Sequence, residues 1–269
     1  MAKSKVTIEE EVPKPRDPRV LLWDIETAPI LAYLWGAYEQ NLLWKKHDWY
    51  LLTIAWKWLG EDTVHVAGLD EYEMYDIDPQ DDYPLVALAW ALFNEADIVV
   101  AHNGVSFDTK KAHARMIIQG FDPPSPFKQV DTLNLAKANF AFTKNNLDEL
   151  CRDLGIGEKI NTGGIELWRD IVDHDDPKAW ALMKKYNKND VVILEELYLR
   201  LRPWAKNHPN LATIANRPDA CNTCLSTTGG FQVRGYTYTA VSYRISYRCN
   251  ACGKYQSGRK IFKTETKHV

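Results

Sequence analysis

No run of about 18 apolar residues occurs anywhere in the chain, so no membrane-spanning helix is expected. The opening stretch, MAKSKVTIEEEVPKPRDPR, lacks the apolar core of a secretion signal. It reads as a flexible tail over residues 1–18, and the protein as cytoplasmic. No internal repeat is present. Cysteine is nearly missing from the first 220 residues, where Cys151 stands alone in a helical stretch. The other four fall in the last fifty residues as two C-x-x-C pairs, which in a cytosolic protein points to metal rather than to disulfides.

What is present is ordinary for a globular chain. At 269 residues, with 45% hydrophobic and 26% charged side chains, there is ample material for a core, into which most of the ten tryptophans are expected to go. The net charge of −3 conceals an asymmetry. Residues 219–269 hold eight Lys or Arg against two Asp or Glu, a balance of +6, which leaves −9 for the rest. An acidic body with a basic end suits an enzyme that gathers carboxylates around a metal and recruits a polyanion elsewhere.

Hydrophobic patterning predicts strands at 19–27, 51–59 and 63–69, the last two joined by a Gly-Glu-Asp turn. A helix over 84–96 opens with Pro84, and a buried strand follows at 97–103. Phe107–Gln119 reads as a helix closed by Gly120, 127–132 as a short strand, and 178–202 as a long helix. Three strands followed by alternating helices and strands imply an α/β fold with a mixed sheet. Residues 206–218 read as a linker, dividing a body over 19–205 from a cysteine-rich domain over 219–269.

Three places carry acids where acids are costly. In VLLWDIET, Asp24 and Glu26 point to one face, about 6.5–7 Å apart along a strand that is apolar on both sides. A carboxylate there costs several kcal/mol unless paired or bound to a cation. In VVAHNGVSFD, Asp108 follows a strand end, where α/β sheets gather ligands, although a helix-capping role is the commoner fate of such an acid. On the long helix, Trp180, Met183, Tyr186, Ile193 or Leu194, Leu197 and Leu201 form an apolar stripe, and Asp190 falls inside it one turn beyond Tyr186.

Together, D-x-E, N-x-x-x-F-D and Y-x-x-x-D in this order resemble the DEDD superfamily of 3′→5′ exonucleases, relatives of polymerase proofreading domains with a ribonuclease-H-like fold. The resemblance spans about residues 19–203, and VDTLNLAK and NNLDELCRDLGI look like the segments that join its second and third motifs. It implies that Asp24, Glu26, Asp108 and Asp190 hold two Mg²⁺ or Mn²⁺ ions, hard cations suited to oxygen donors. Such ions activate a water and stabilise the leaving 3′ oxygen. One subgroup has His five residues before the last acid, where this chain has Lys185; the other has Tyr four before it, which Tyr186 matches. With a phenol pKa near 10, Tyr186 is suited to orienting the attacking water rather than to taking its proton. Thr27 matches the position that contacts the terminal nucleotide in relatives, and Asn103 and Phe107 of the second motif are expected at the substrate. The segment 31–50 does not resemble the family closely; it could form an aromatic wall for stacking bases, with core packing the commoner fate of its tryptophans.

CNTC (221–224) and CNACGK (249–254) resemble a zinc ribbon in which Cys221, Cys224, Cys249 and Cys252 close a tetrahedral Zn²⁺ site. About fifty residues could hardly fold without such a staple. Between them, Val241, Tyr243, Ile245 and Tyr247 are expected to face a small core. Ser242, Arg244, Ser246 and Arg248, joined by Tyr236 and Tyr238, are expected on the opposite face, a single-strand contact surface with Arg244 and Arg248 on phosphates. The substrate expected is single-stranded DNA, with RNA as the runner-up and a replication or repair protein as a possible partner. A non-catalytic nucleic-acid-binding adaptor is the alternative outside enzymology, and the four acids with Tyr186 argue against it.

Overall fold

The computed structural model describes residues 16–38, 41–158 and 160–262, the side chains of 259–262 excepted. Residues 1–15 of the expected tail and 263–269 of the basic end lie outside them. The chain divides into two compact units, one of Arg19–His208 and one of Pro209–Val269 with the residues before Arg19.

The larger unit runs β1 (Val20–Thr27), β2 (Leu31–Tyr33), β3 (Trp44–His47), β4 (Leu51–Trp58), β5 (His65–Gly68), α1 (Tyr83–Glu95), β6 (Ile98–Ala101), α2 (Asp108–Ile118), β7 (Lys128–Asp131), α3 (Thr132–Asn139), α4 (Leu147–Leu154), α5 (Ile165–Val172) and α6 (Pro177–Leu201). The sheet order is β5-β4-β1-β6-β7. β4 pairs antiparallel with β1 and β5, while β6 pairs parallel with β1 and β7. This is the mixed α/β sheet with flanking helices that the patterning predicted.

β1 is central and apolar on both faces, so helices cover both. Trp23 is fully buried and meets Phe93 of α1 edge to face at 4.7 Å. On the other face Asp24 meets Asn187 of α6. α6 starts at Pro177 behind the cap of Asp176, whose carboxylate accepts from Lys178 N at 2.9 Å. It buries Trp180, Met183, Asn187, Asp190, Leu194 and Leu197 along one stripe. Lys57 of β4 pairs with Glu195 at 2.5 Å, and Lys184 bridges Asp70 and Glu71 at 2.8 and 2.9 Å, holding the helix to the sheet at two points.

Two buried carboxylates brace the loops. Asp82 is fully buried; it accepts from Leu51 N at 2.9 Å, from Arg115 Nε at 2.8 Å and Nη2 at 2.5 Å, and from Gln119 Nε2 at 2.5 Å. One acid thus ties the head of α1 to β4 and α2. Asp131, at the end of β7, accepts from Asn103 N, Val105 N, Leu133 N and Asn134 N at 3.0, 3.2, 2.9 and 3.2 Å. It caps α3 and pins the turn after β6, where Asn103 takes the left-handed φ of 68° that asparagine tolerates.

The expectation that the tryptophans of 31–50 pack in the core is not met for Trp35 and Trp44, while Trp49 is half-buried and Tyr50 joins the core. β2 and β3 form a separate two-stranded hairpin. Trp35, Trp44 and Tyr33 are 83%, 56% and 47% exposed, and Tyr33 stacks on Trp44 at 4.6 Å. A short hairpin has no second layer to bury both faces, so the rings cover each other instead.

In the smaller unit, residues 206–218 include a one-turn helix, α7 (Leu211–Ile214), whose Leu211 and Ala212 are buried. β8 (Phe231–Tyr238), β9 (Ser242–Cys249) and β10 (Tyr255–Phe262) form an antiparallel sheet in the order β10-β9-β8. The expected division of β9 into a core face and an arginine face is corrected. Val241 is 62% exposed while Ser242 is buried, hydrogen-bonded through its backbone N and Oγ to Thr239 Oγ1. Tyr236 and Tyr238 pack on Tyr243 at 5.7 and 6.2 Å, so they share its face rather than that of Arg244. A three-stranded sheet this small buries its rings only partly, and they cluster at its surface. No helix among the described residues is long and apolar enough to cross a membrane.

Candidate metal centre and adjoining cleft

The fold brings three of the four expected acids to one point. Donor oxygens of Asp24, Glu26 and Asp190 all lie within 4.8 Å of one another. Asp24 and Glu26 come from alternate positions of β1, and Asp190 from the buried stripe of α6. Three carboxylates this close repel one another unless a cation or protons neutralise them. An oxygen-only donor set at this spacing fits a hard divalent ion.

Asp108 is not part of that grouping. It is the first residue of α2 and is nine-tenths or more buried, and its Oδ1 accepts from Ile25 N at 3.4 Å. β6 pairs with β1 only as far as Leu22, and Asp108 meets the strand beyond that point. Phe107 precedes α2 and offers no side-chain cap, and the Asp108 carboxylate also accepts from its own N–H at the helix start. Burial pushes its carboxyl up to about 7; the N–H groups of Asp108 and Ile25 oppose this, Asp131 adds to it, and Lys111 opposes it.

Thr27 and Phe107 line a cleft of about 540 Å³ beside the acids, together with Trp49, Lys111, Ile165 and Trp168. Lys111 donates to Thr27 Oγ1 at 2.9 Å and lies over the Trp49 and Phe107 rings at 4.2 and 4.7 Å. Burial lowers its pKa, against the pull of Asp108, Asp48 and Glu26. Tyr186 is half-buried one turn before Asp190, with its ring at 6.5 Å from Trp168. Asn103 does not line this cleft. Lys185 is exposed on α6, and His102 bridges Thr132 Oγ1 and Asn145 O at 2.9 and 3.0 Å.

Sequence reasoning passed over Lys111, Trp49, Trp168 and Asn187. Asn187 is fully buried and donates to Asp24 Oδ2 at 2.6 Å. Its signal was legible: a second polar residue in the apolar stripe, three before Asp190.

In the smaller unit the sulfurs of Cys221, Cys224, Cys249 and Cys252 lie within 4.8 Å of one another. Cys221 and Cys252 are 3.7 Å apart, and Cys224 and Cys249 3.8 Å. A tetrahedron of bonds of about 2.3 Å to Zn²⁺ has edges of about 3.8 Å, whereas a disulfide needs about 2.05 Å. The cluster therefore fits a tetrahedral metal and not two cross-links. Both knuckles fold alike: Leu225 N donates to Cys221 O and Gly253 N to Cys249 O, at 3.0 and 2.9 Å. Leu225 and Gly253 each take a left-handed φ, of 60° and 79°. Hydrogen bonding from Cys224 holds the Cys221 thiol well below its ordinary range. Arg244 is exposed and Arg248 half-buried on β9.

A mixed five-stranded sheet with helices on both faces and acids on its central strand defines a ribonuclease-H-like α/β protein. The chain belongs to the RNase_H superfamily, whose family model matches residues 60–202, more than half of its length, including Asp108, Tyr186 and Asp190. No curated protein matches it. Among solved structures, the family B DNA polymerase of the hyperthermophilic archaeon Pyrobaculum calidifontis is similar, with 18% identity over 73% of this chain and a TM-score of 0.48. The chain spans 26% of that polymerase.

Proposed function

We propose that this protein is a metal-dependent 3′→5′ exonuclease of the tyrosine subgroup of the DEDD superfamily, releasing nucleoside 5′-monophosphates from single-stranded DNA. The observation that carries this reading is the convergence of Asp24, Glu26 and Asp190 to within 4.8 Å beside an aromatic cleft. In the proposal these three hold divalent cations, with Asp108 completing the set. The bound ions supply positive charge for the attacking water and the leaving oxygen.

The chain's own residues do the rest. The Thr27 hydroxyl and Lys111 ammonium hold the terminal nucleotide, and Trp49, Phe107 and Trp168 wall it from solvent. Tyr186 orients the water, whose oxygen attacks phosphorus as the penultimate 3′ oxygen leaves. The exposed rings of the β2–β3 hairpin stack the bases upstream of the end. Phe107 and Asn103 act differently here: Phe107 faces the nucleotide, whereas Asn103 shapes the turn that presents Phe107 and Asp108.

The body over 19–205 cuts, and a zinc ribbon over 219–269, reached through 206–218, holds one structural Zn²⁺ on its four cysteines and grips the strand with Arg244 and Arg248. A cytoplasmic place in replication or repair suits such a nuclease. The test uses 5′-labelled single-stranded DNA, duplex DNA and RNA, each with Mg²⁺, Mn²⁺ or chelator, resolved as ladders. Single-stranded DNA should shorten one nucleotide at a time from its 3′ end, and chelator should stop it. Binding without cleavage under every metal would make the protein an adaptor, and a ladder on RNA alone would make it an exoribonuclease.

A further inference from the structure

Asp24 is gripped from behind. Asn187 Nδ2 donates to Asp24 Oδ2 at 2.6 Å, and Asn187 Oδ1 accepts from Thr53 Oγ1 at 2.9 Å. Asn187 and Thr53 are both fully buried, the first on α6 and the second on β4. The order of donors is forced. A carboxylate only accepts, so the amide must turn its NH₂ to Asp24; its oxygen then faces Thr53, whose hydroxyl must donate. Neither neighbour can reverse without leaving a buried donor or acceptor unmatched.

We propose that Asn187, locked by Thr53, is a positioning residue that fixes the carboxylate plane of Asp24 and thereby sets the affinity of the acidic centre for its divalent ion. This inference rests on the metal reading of that centre. Two features support it. The bond is at the short end for N–H···O, as charge assistance makes it. Asn187 also lies one turn from Asp190, so one helix supplies both a proposed ligand and the orienter of another, and the two move as a unit. Partners that orient metal ligands from behind are typically worth about 10–100-fold in metal affinity.

The experiment titrates Mn²⁺ into the full chain without substrate, followed by calorimetry and by the electron paramagnetic resonance of free Mn²⁺. Wild type, Asn187→Leu, Asn187→Asp and Thr53→Val are compared, with the zinc content and circular dichroism of each. Asn187→Leu keeps the volume and removes both hydrogen bonds; Mn²⁺ should bind about 10–100-fold more weakly. Asn187→Asp sets a second carboxylate against Asp24 and should weaken binding at least as much. Thr53→Val leaves the NH₂ in place but frees its rotation, so the loss should be smaller, about 3–10-fold, within the range of a single neutral hydrogen bond. Turnover of Asn187→Leu should recover at high Mn²⁺ while KM for the oligonucleotide stays fixed, which a merely structural role would not produce. If wild type binds Mn²⁺ and Asn187→Leu binds it equally well, the inference is overturned. Should Asn187→Leu not fold, unchanged Mn²⁺ affinity in Thr53→Val overturns it instead. A wild type that binds no Mn²⁺ condemns the metal centre itself.

Discussion

Asp82 and Asp24 show two settings for an acid inside the fold. Asp82 is matched inside the chain, by Arg115, Gln119 and the Leu51 N–H, and needs nothing from outside. Asp24 stands with Glu26 and Asp190 in one acidic grouping and accepts from the Asn187 amide. Different consequences follow for mutation. Arg115→Met strands the Asp82 charge in the interior and should lower unfolding free energy by about 3–5 kcal/mol, measured by denaturant titration. Its turnover at low temperature should remain; a stability loss below about 1 kcal/mol would mean Asp82 finds another partner. Asp24→Ala or Asp190→Asn should do the reverse. The fold and DNA binding persist, while turnover falls by more than about 100-fold. A variant that retains a tenth of wild-type turnover would remove that acid from the chemistry. Tyr186→Phe deletes only a hydroxyl; a drop of about 100-fold or less is expected, the low end for groups that orient or move protons. Unchanged turnover across pH would leave Tyr186 as packing against Trp168.

The elements differ in how plainly they were written. α6 was legible because a long apolar stripe at helical spacing has one reading, and a carboxylate within it stands out. β1, β4, β5 and β6 were legible as apolar runs bounded by turns, and β7 as the short strand leading into the helical segments after it. α5 was missed, because its eight residues follow Gly163 and Gly164 and are too few to establish a period. The β2–β3 hairpin was missed because aromatic content alone does not say whether a ring is buried or stacked in the open. Asp108 illustrates the limit for the site: spacing put it at a strand end, but only the fold shows that β6 stops short of it, so that it meets β1 at Ile25. The hairpin carries its own prediction. If its rings stack bases, Trp35→Ser and Trp44→Ser should each weaken single-strand binding by about 1–3 kcal/mol, roughly 5- to 150-fold. The measurement is anisotropy of a labelled oligonucleotide on the Asp190→Asn background. Affinities that match the parent would assign the exposed rings to something other than the strand.

At the scale of the molecule, charge and candidate metal sites are divided between two parts of the chain. The residues before 219 carry −9 and those from 219 onward +6, so the acidic part alone should draw a polyanion poorly. Purified protein should carry about one Zn²⁺ per chain. Cys221→Ser should lose it and melt the smaller unit while leaving the larger one folded, as resolved by zinc analysis and calorimetry. Four cysteines found oxidised under reducing conditions would contradict this. Arg244→Ala combined with Arg248→Ala should flatten the salt dependence of single-strand binding by about one to one and a half units on a log–log plot, at about 0.7 per phosphate. An unaltered slope would leave the basic end to some other partner. α6 has a last consequence, for how such a chain can change in length. Asn187 and Asp190 are aimed by their phase on one helix that is anchored at Lys184 and Glu195 on either side of them. Each residue added between Trp180 and Asp190 turns everything beyond it by about 100°, so a single insertion there would swing Asp190 off the sheet. Natural variation in length should therefore be purged from the helix and fall in loops instead, because a loop forgives a count that a helix must keep.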